Sequence, residues 1–124
     1  MIDIRLKLAG LWIALMLTYL LGDVIRIFAG DFSAGEMSGQ PATQAMWLVA
    51  AALMLIPIVM LVLTLLVDHP SIRWVTVAAA AVLFLFNAFG LPGYPGLYDK
   101  ALIAVGLVWN GLTIWLAISW RPLA

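Results

Sequence analysis

The chain has 124 residues, of which 66% are apolar and 10% charged, against roughly 45–50% and about 25% in an ordinary soluble domain; that balance excludes most soluble folds. Six basic side chains offset six acidic ones, so there is no basic surface to hold a phosphate backbone, and nucleic-acid binding is excluded as a function. With no cysteine and one histidine, the chain cannot build a disulfide framework, a thiolate metal centre, an iron–sulfur cluster or a multi-histidine site, and neither metal nor cofactor is expected.

Four apolar spans follow in chain order. The first covers about residues 6–28, and its portion 8–21 carries no charge. Arg5 and Lys7 ahead of an apolar run could open a signal peptide, but Asp23 and Arg26 stand before any small-residue cleavage site, so the segment reads as a retained span. Residues 30–41 form the long polar, glycine-bearing loop. The second span, about 43–67, has no charge and at 1.5 Å per residue reaches roughly 37 Å, more than the about 30 Å of hydrocarbon it must cross. It must tilt or bend, and Pro57 predicts a kink. Asp68-His69-Pro70-Ser71 is a tight turn offering Ser71 as N-cap for a third span over about 74–91. Residues 92–96, rich in proline and glycine, turn the chain into a fourth span over about 101–120. No repeat appears and no room is left for a soluble domain. The expected fold is all-α, a four-transmembrane-helix bundle forming one membrane domain over residues 1–124, with the lipid bilayer as its principal partner.

Positive charge sets the expected orientation. Arg5, Lys7, Arg73 and Arg121 fall on one face, and Arg26 and Lys100 on the other. Adding Asp3 and Asp68 to the first face, and Asp23, Asp31, Glu36 and Asp99 to the second, leaves +2 against −2. Both termini are therefore expected in the cytoplasm. Trp12, Trp74 and Trp120 would mark the inner boundary and Trp47, Tyr94 and Tyr98 the outer one.

An ionisable residue within a span is costly and normally has a partner or a purpose. Asp23 and Arg26 lie three apart on one helix face, with Tyr19 one turn before Asp23. This stripe reads either as an ion pair holding the helix register or as a binding site with Asp23 as its anion. Topology brings Asn87 to the outer half of the third span and Asn110 near the middle of the fourth, beside Thr113. Asparagines at such depths commonly tie helices together; grouped with Tyr19, Asp23 and Arg26 they outline an outward-facing polar pocket, with loop 30–41 as its lid. Glu36, in that loop, reads as a solvated acid or as a second carboxylate bent over the pocket. His69 reads as solvated, and the serines at 33, 38, 71 and 119 lack any hydrolase pattern. Small residues at 78–81, Gly106 and Gly111 permit close helix approach, within the chain or in a homo-oligomer.

Several segments carry a family resemblance: Tyr19 with Gly22-Asp23, the loop positions Gly35, Met37 and Gly39, the run Leu53-Met54-Leu55-Ile56-Pro57-Ile58-Val59-Met60, and Arg73-Trp74. Together they resemble a family of small bacterial four-helix membrane proteins catalogued as a domain of unknown function, most closely over the first three spans. The chain departs from that pattern at Ile72, where asparagine is expected. The resemblance implies a multi-pass protein of the bacterial cytoplasmic membrane and brings no activity, cofactor or catalytic residue. Three functions stay open. One is binding or transport of a small amphipathic or cationic ligand at Asp23, one an intramembrane isomerase or cyclase acting on a lipid-like substrate, and one an accessory role in a larger membrane complex.

Overall fold

The computed structural model describes residues 3–30, 35–37, 40–69, 71–93 and 96–120. Asp31 and Arg121 of the charge balance, Tyr94 of the aromatic boundary, Ser33 and Ser38, Gly39 of the family pattern, and Pro70 and Pro95 of the two turns lie outside them. Four helices, each long and apolar enough to cross a membrane, account for most of the described chain. They are α1 (Ile4–Phe28), α2 (Gln44–Leu66), α3 (Ser71–Gly90) and α4 (Leu97–Ile118).

Their ends follow from local chemistry. Asp3 caps α1 by accepting from the Arg5 amide at 2.8 Å, and Thr43 caps α2 by accepting from the Met46 amide at 3.2 Å. Gly30, with φ of +79°, supplies the left-handed residue just past the end of α1 that a side chain would strain. Two helices start earlier than the apolar runs suggest. Ser71 is the first residue of α3 rather than its cap, and α4 begins at Leu97, four residues ahead of expectation. Both extensions take charged residues, Arg73 and Asp99, into first turns. The loop between α1 and α2 contains a minimal antiparallel hairpin, β1 (Glu36–Met37) with β2 (Gln40–Pro41).

Around the bundle, α1 packs against α2 and α4, α4 against α1 and α3, and α2 meets α3 only lightly; the diagonal pairs keep their backbones apart. Gly106 permits the close α1–α4 approach: a Cβ there would stand 3.6 Å from Leu15 Cδ1 and Tyr19 Cε1. Leu8, Trp12 and Leu15 of α1, Met60 of α2, Ile72, Ala80 and Leu83 of α3, and Trp120 form the core. Large apolar side chains cover the outside of every helix, as a surface solvated by acyl chains requires.

Helix α2 is unevenly held. Its buried residues are Pro57, Met60 and Thr64, so the half preceding Pro57 buries nothing fully. The helix runs through Pro57 without interruption, and the proline is the first fully buried residue along it; before it, Leu53, Met54 and Ile56 are partly buried.

The two ends of the bundle differ chemically. At the end holding Asp3 and Trp120, called here the terminal end, arginines close the C-termini of α2 and α4. Arg5 Nη1 donates to the carbonyls of Thr64 and Val67 at 2.8 and 2.7 Å, and Arg73 Nη2 donates to the carbonyl of Ile118. Cations placed there satisfy carbonyls that no helical amide reaches and complement the negative end of the dipole. Arg5 also stacks over the Trp120 ring at 5.0 Å. At the opposite, hairpin end, Asp99 occupies the first turn of α4, where the dipole favours an anion.

Candidate functional site

A cleft of about 130 Å³ opens at the hairpin end, lined by all four helices. Thr18, Tyr19, Gly22, Asp23 and Arg26 come from α1, Leu53 and Met54 from α2, Leu83, Phe86 and Asn87 from α3, and Asp99, Leu102 and Ile103 from α4. The volume is close to the roughly 150 Å³ of an apolar cavity that accepts benzene.

Arg26 organises the polar wall. Its Nη1 lies 3.0 Å from Asp23 Oδ1, while Nη2 and Nε reach Asp99 Oδ1 and Oδ2 at 2.9 and 3.4 Å. The two carboxylates differ in environment. Asp99 is 2% exposed and gripped on both oxygens, whereas Asp23 is 51% exposed and meets Arg26 through one. Two acids around one guanidinium leave the three-residue cluster one negative charge in excess. Asp23, the accessible member, carries the face of that charge available to a ligand.

Deeper in the cleft, Asn87 Nδ2 donates to the Tyr19 hydroxyl at 2.6 Å and to the Leu83 carbonyl at 2.9 Å. Because α1 and α3 are diagonal partners, the Tyr19–Asn87 bond crosses the bundle axis. Beside it, Trp109 Nε1 donates to Thr18 Oγ1 at 3.2 Å, and Thr18 Oγ1 donates to the Ala14 carbonyl at 2.7 Å. The opposite wall is apolar, with Leu53 and Met54 facing Phe86 across the lightly packed α2–α3 seam. Phe86 is more than half exposed, so the cleft wall is open at this seam.

Of the six residues singled out in the sequence, Tyr19, Asp23, Arg26 and Asn87 line this cleft. Asn110 does not line it. It is fully buried, its carboxamide set toward the Tyr19 hydroxyl from the α4 side. Glu36 stands exposed on β1 and is not among the lining residues. Sequence reasoning misses Asp99, which it counts only among the charges of the outer face, ahead of the fourth span. The available signal was an acid three residues after a turn glycine, at the level where Arg26 ends the first span. Among the described residues no group of histidines, aspartates and glutamates is arranged to hold a metal.

A family model matches residues 3–123 and is described as a family of unknown function, DUF6326; the chain belongs to this family. No curated protein and no solved structure matches it.

Proposed function

We propose that this protein binds small amphipathic cations in the cleft at the hairpin end, as one step in moving them across a bacterial cytoplasmic membrane. The observation that carries the reading is the excess of carboxylate over guanidinium beside an apolar wall: Asp23 and Asp99 against Arg26, with Leu53, Met54 and Phe86 opposite. A cation with a short apolar body would set its charge at Asp23 and its body against Phe86, whose ring face also attracts cations. Charge asymmetry supports placing the hairpin end outside and both termini in the cytoplasm. An isomerase or cyclase would need a second carboxylate at liberty in the cleft, and Asp99 is held on both oxygens while Glu36 lies on the hairpin.

The test uses benzylammonium as probe, with calorimetry on the full chain in lipid nanodiscs. Binding should weaken by about tenfold or more in Asp23→Asn, as expected for about 1.4 kcal/mol of lost attraction, and neutral benzyl alcohol should bind as weakly as that variant. Equal binding of benzylammonium by the wild type and a folded Asp23→Asn protein refutes the reading.

A further inference from the structure

Outside Arg26, each side-chain N–H and O–H of the described residues lining the cleft is directed at a protein acceptor. Asn87 Nδ2 carries two hydrogens, one given to the Leu83 carbonyl at 2.9 Å and one to the Tyr19 hydroxyl at 2.6 Å. A carbonyl only accepts, so the Leu83 contact fixes which carboxamide atom is the nitrogen. Tyr19 therefore accepts from Asn87, and its single proton is left for Asn110, whose carboxamide is set toward it from α4. Thr18 spends its proton on the Ala14 carbonyl and accepts from Trp109. Arg26 directs three donor contacts at Asp23 and Asp99.

What the wall has left to offer are acceptors. Asp23 meets Arg26 through Oδ1 and is half exposed, which leaves Oδ2 open. Asn87 Oδ1 receives no hydrogen bond from a described residue and is not enclosed. Backbone amides add no donor, since those within helices are bonded along the axis and those opening α4 point outward past the bundle end. The two acceptors stand at different depths: Asp23 is one turn, about 6 Å, nearer the hairpin end than Tyr19, to which Asn87 is bonded. A single nitrogen with hydrogens on two sides, each reaching about 2.9 Å, spans oxygens up to about 6 Å apart.

We propose that the cleft selects protonated amines bearing at least two N–H donors, one given to Asp23 Oδ2 and one to Asn87 Oδ1, and discriminates against tertiary and quaternary ammonium ions of the same charge. This rests on the cation-binding reading and adds to it the chemistry of the nitrogen. Attraction to Asp23 depends on charge and distance and is nearly blind to how many hydrogens the cation carries. Asn87 is neutral and rewards only a hydrogen aimed at its oxygen; a ligand that covers that oxygen without donating to it strips its water and leaves it unpaired. A quaternary ammonium ion answers neither acceptor, and a tertiary one answers a single acceptor.

The test is calorimetry on the full chain in lipid nanodiscs, corrected for partition into empty nanodiscs, with benzylammonium and its N-methyl, N,N-dimethyl and N,N,N-trimethyl derivatives, which step the N–H donors down from three to none. Affinity should hold within about threefold on the first methylation and fall by about tenfold or more on the second, the size expected for one lost charge-assisted hydrogen bond. Equal affinity across the series, or the same loss at every methyl, as crowding alone gives, overturns the inference. Asn87→Leu should weaken benzylammonium by about tenfold and leave the N,N-dimethyl ion unchanged; equal weakening of both overturns it as well. Should that variant fail to fold, the methylation series on the wild-type chain still decides. A series without the step, in a protein whose Asp23→Asn variant still loses benzylammonium, removes this inference alone, whereas benzylammonium binding untouched by Asp23→Asn removes the cation-binding reading with it.

Discussion

Replacing Asp99 with asparagine tests the electrostatic frame of the cleft most directly. Its carboxylate is 2% exposed and held by two guanidinium nitrogens at 2.9 and 3.4 Å. Removing one member of a buried ion pair costs about 3–5 kcal/mol, chiefly because the other is left uncompensated. Here Arg26 is 25% exposed and keeps Asp23 at 3.0 Å, so the cost falls to about 2–3 kcal/mol. Loss of an anion from the first turn of α4 adds about 0.3–1 kcal/mol, for a total near 3 kcal/mol. Asp23→Asn breaks a pair whose carboxylate is 51% exposed, a class that contributes about 0–1 kcal/mol. Reversible unfolding in mixed micelles titrated with dodecyl sulfate, followed by helical circular dichroism and tryptophan fluorescence, measures both. Equal losses, or a larger loss for Asp23→Asn, would refute the assignment of Asp99 as the structural acid and Asp23 as the accessible one.

Three further outcomes follow from the packing and the helix ends. Arg5→Met removes two charge-assisted bonds to α2 carbonyls and the contact with Trp120; the same titration should show a loss of about 2–3 kcal/mol. Gly106→Ala should be tolerated, since its Cβ meets Leu15 and Tyr19 at ordinary contact distance, whereas Gly106→Leu should cost about 1–3 kcal/mol or more by forcing α1 and α4 apart; thermal melts of the two variants compare them. Because the chain lacks cysteine, Glu36→Cys and Asp3→Cys each create one reactive thiol. A membrane-impermeant maleimide applied to intact cells should label the first and spare the second, and the reverse pattern would invert the proposed orientation.

Apolar run length was enough to find all four helices, because nothing but lipid accommodates such segments. Their starts were less legible. Arg73 and Asp99 read as loop charges in sequence, yet each sits in a first helical turn because the opposite end of a neighbouring helix supplies its partner: the Ile118 carbonyl for Arg73 and Arg26 for Asp99. Such pairings join residues 45 and 73 positions apart, which helical periodicity cannot reveal. Tyr19, Asp23 and Arg26 were legible as a group through their spacing on one helix, and Asn87 through its depth. The hairpin was not, since two-residue strands carry no alternation to read. Nor did the charge-free second span show that full burial would be confined to its later half, because burial in protein and immersion in lipid favour the same side chains.

Pro57 leaves the wall bearing Leu53 and Met54 without a fully buried residue to pin it, so acyl chains contribute to holding it upright. The tilt of that segment therefore responds to how well its length matches the surrounding hydrocarbon. In a thinner bilayer it leans and the aperture changes, while α1 and α4, each with buried residues in both halves, stay in register. Membrane composition becomes a structural variable of this protein, acting through one half of one helix.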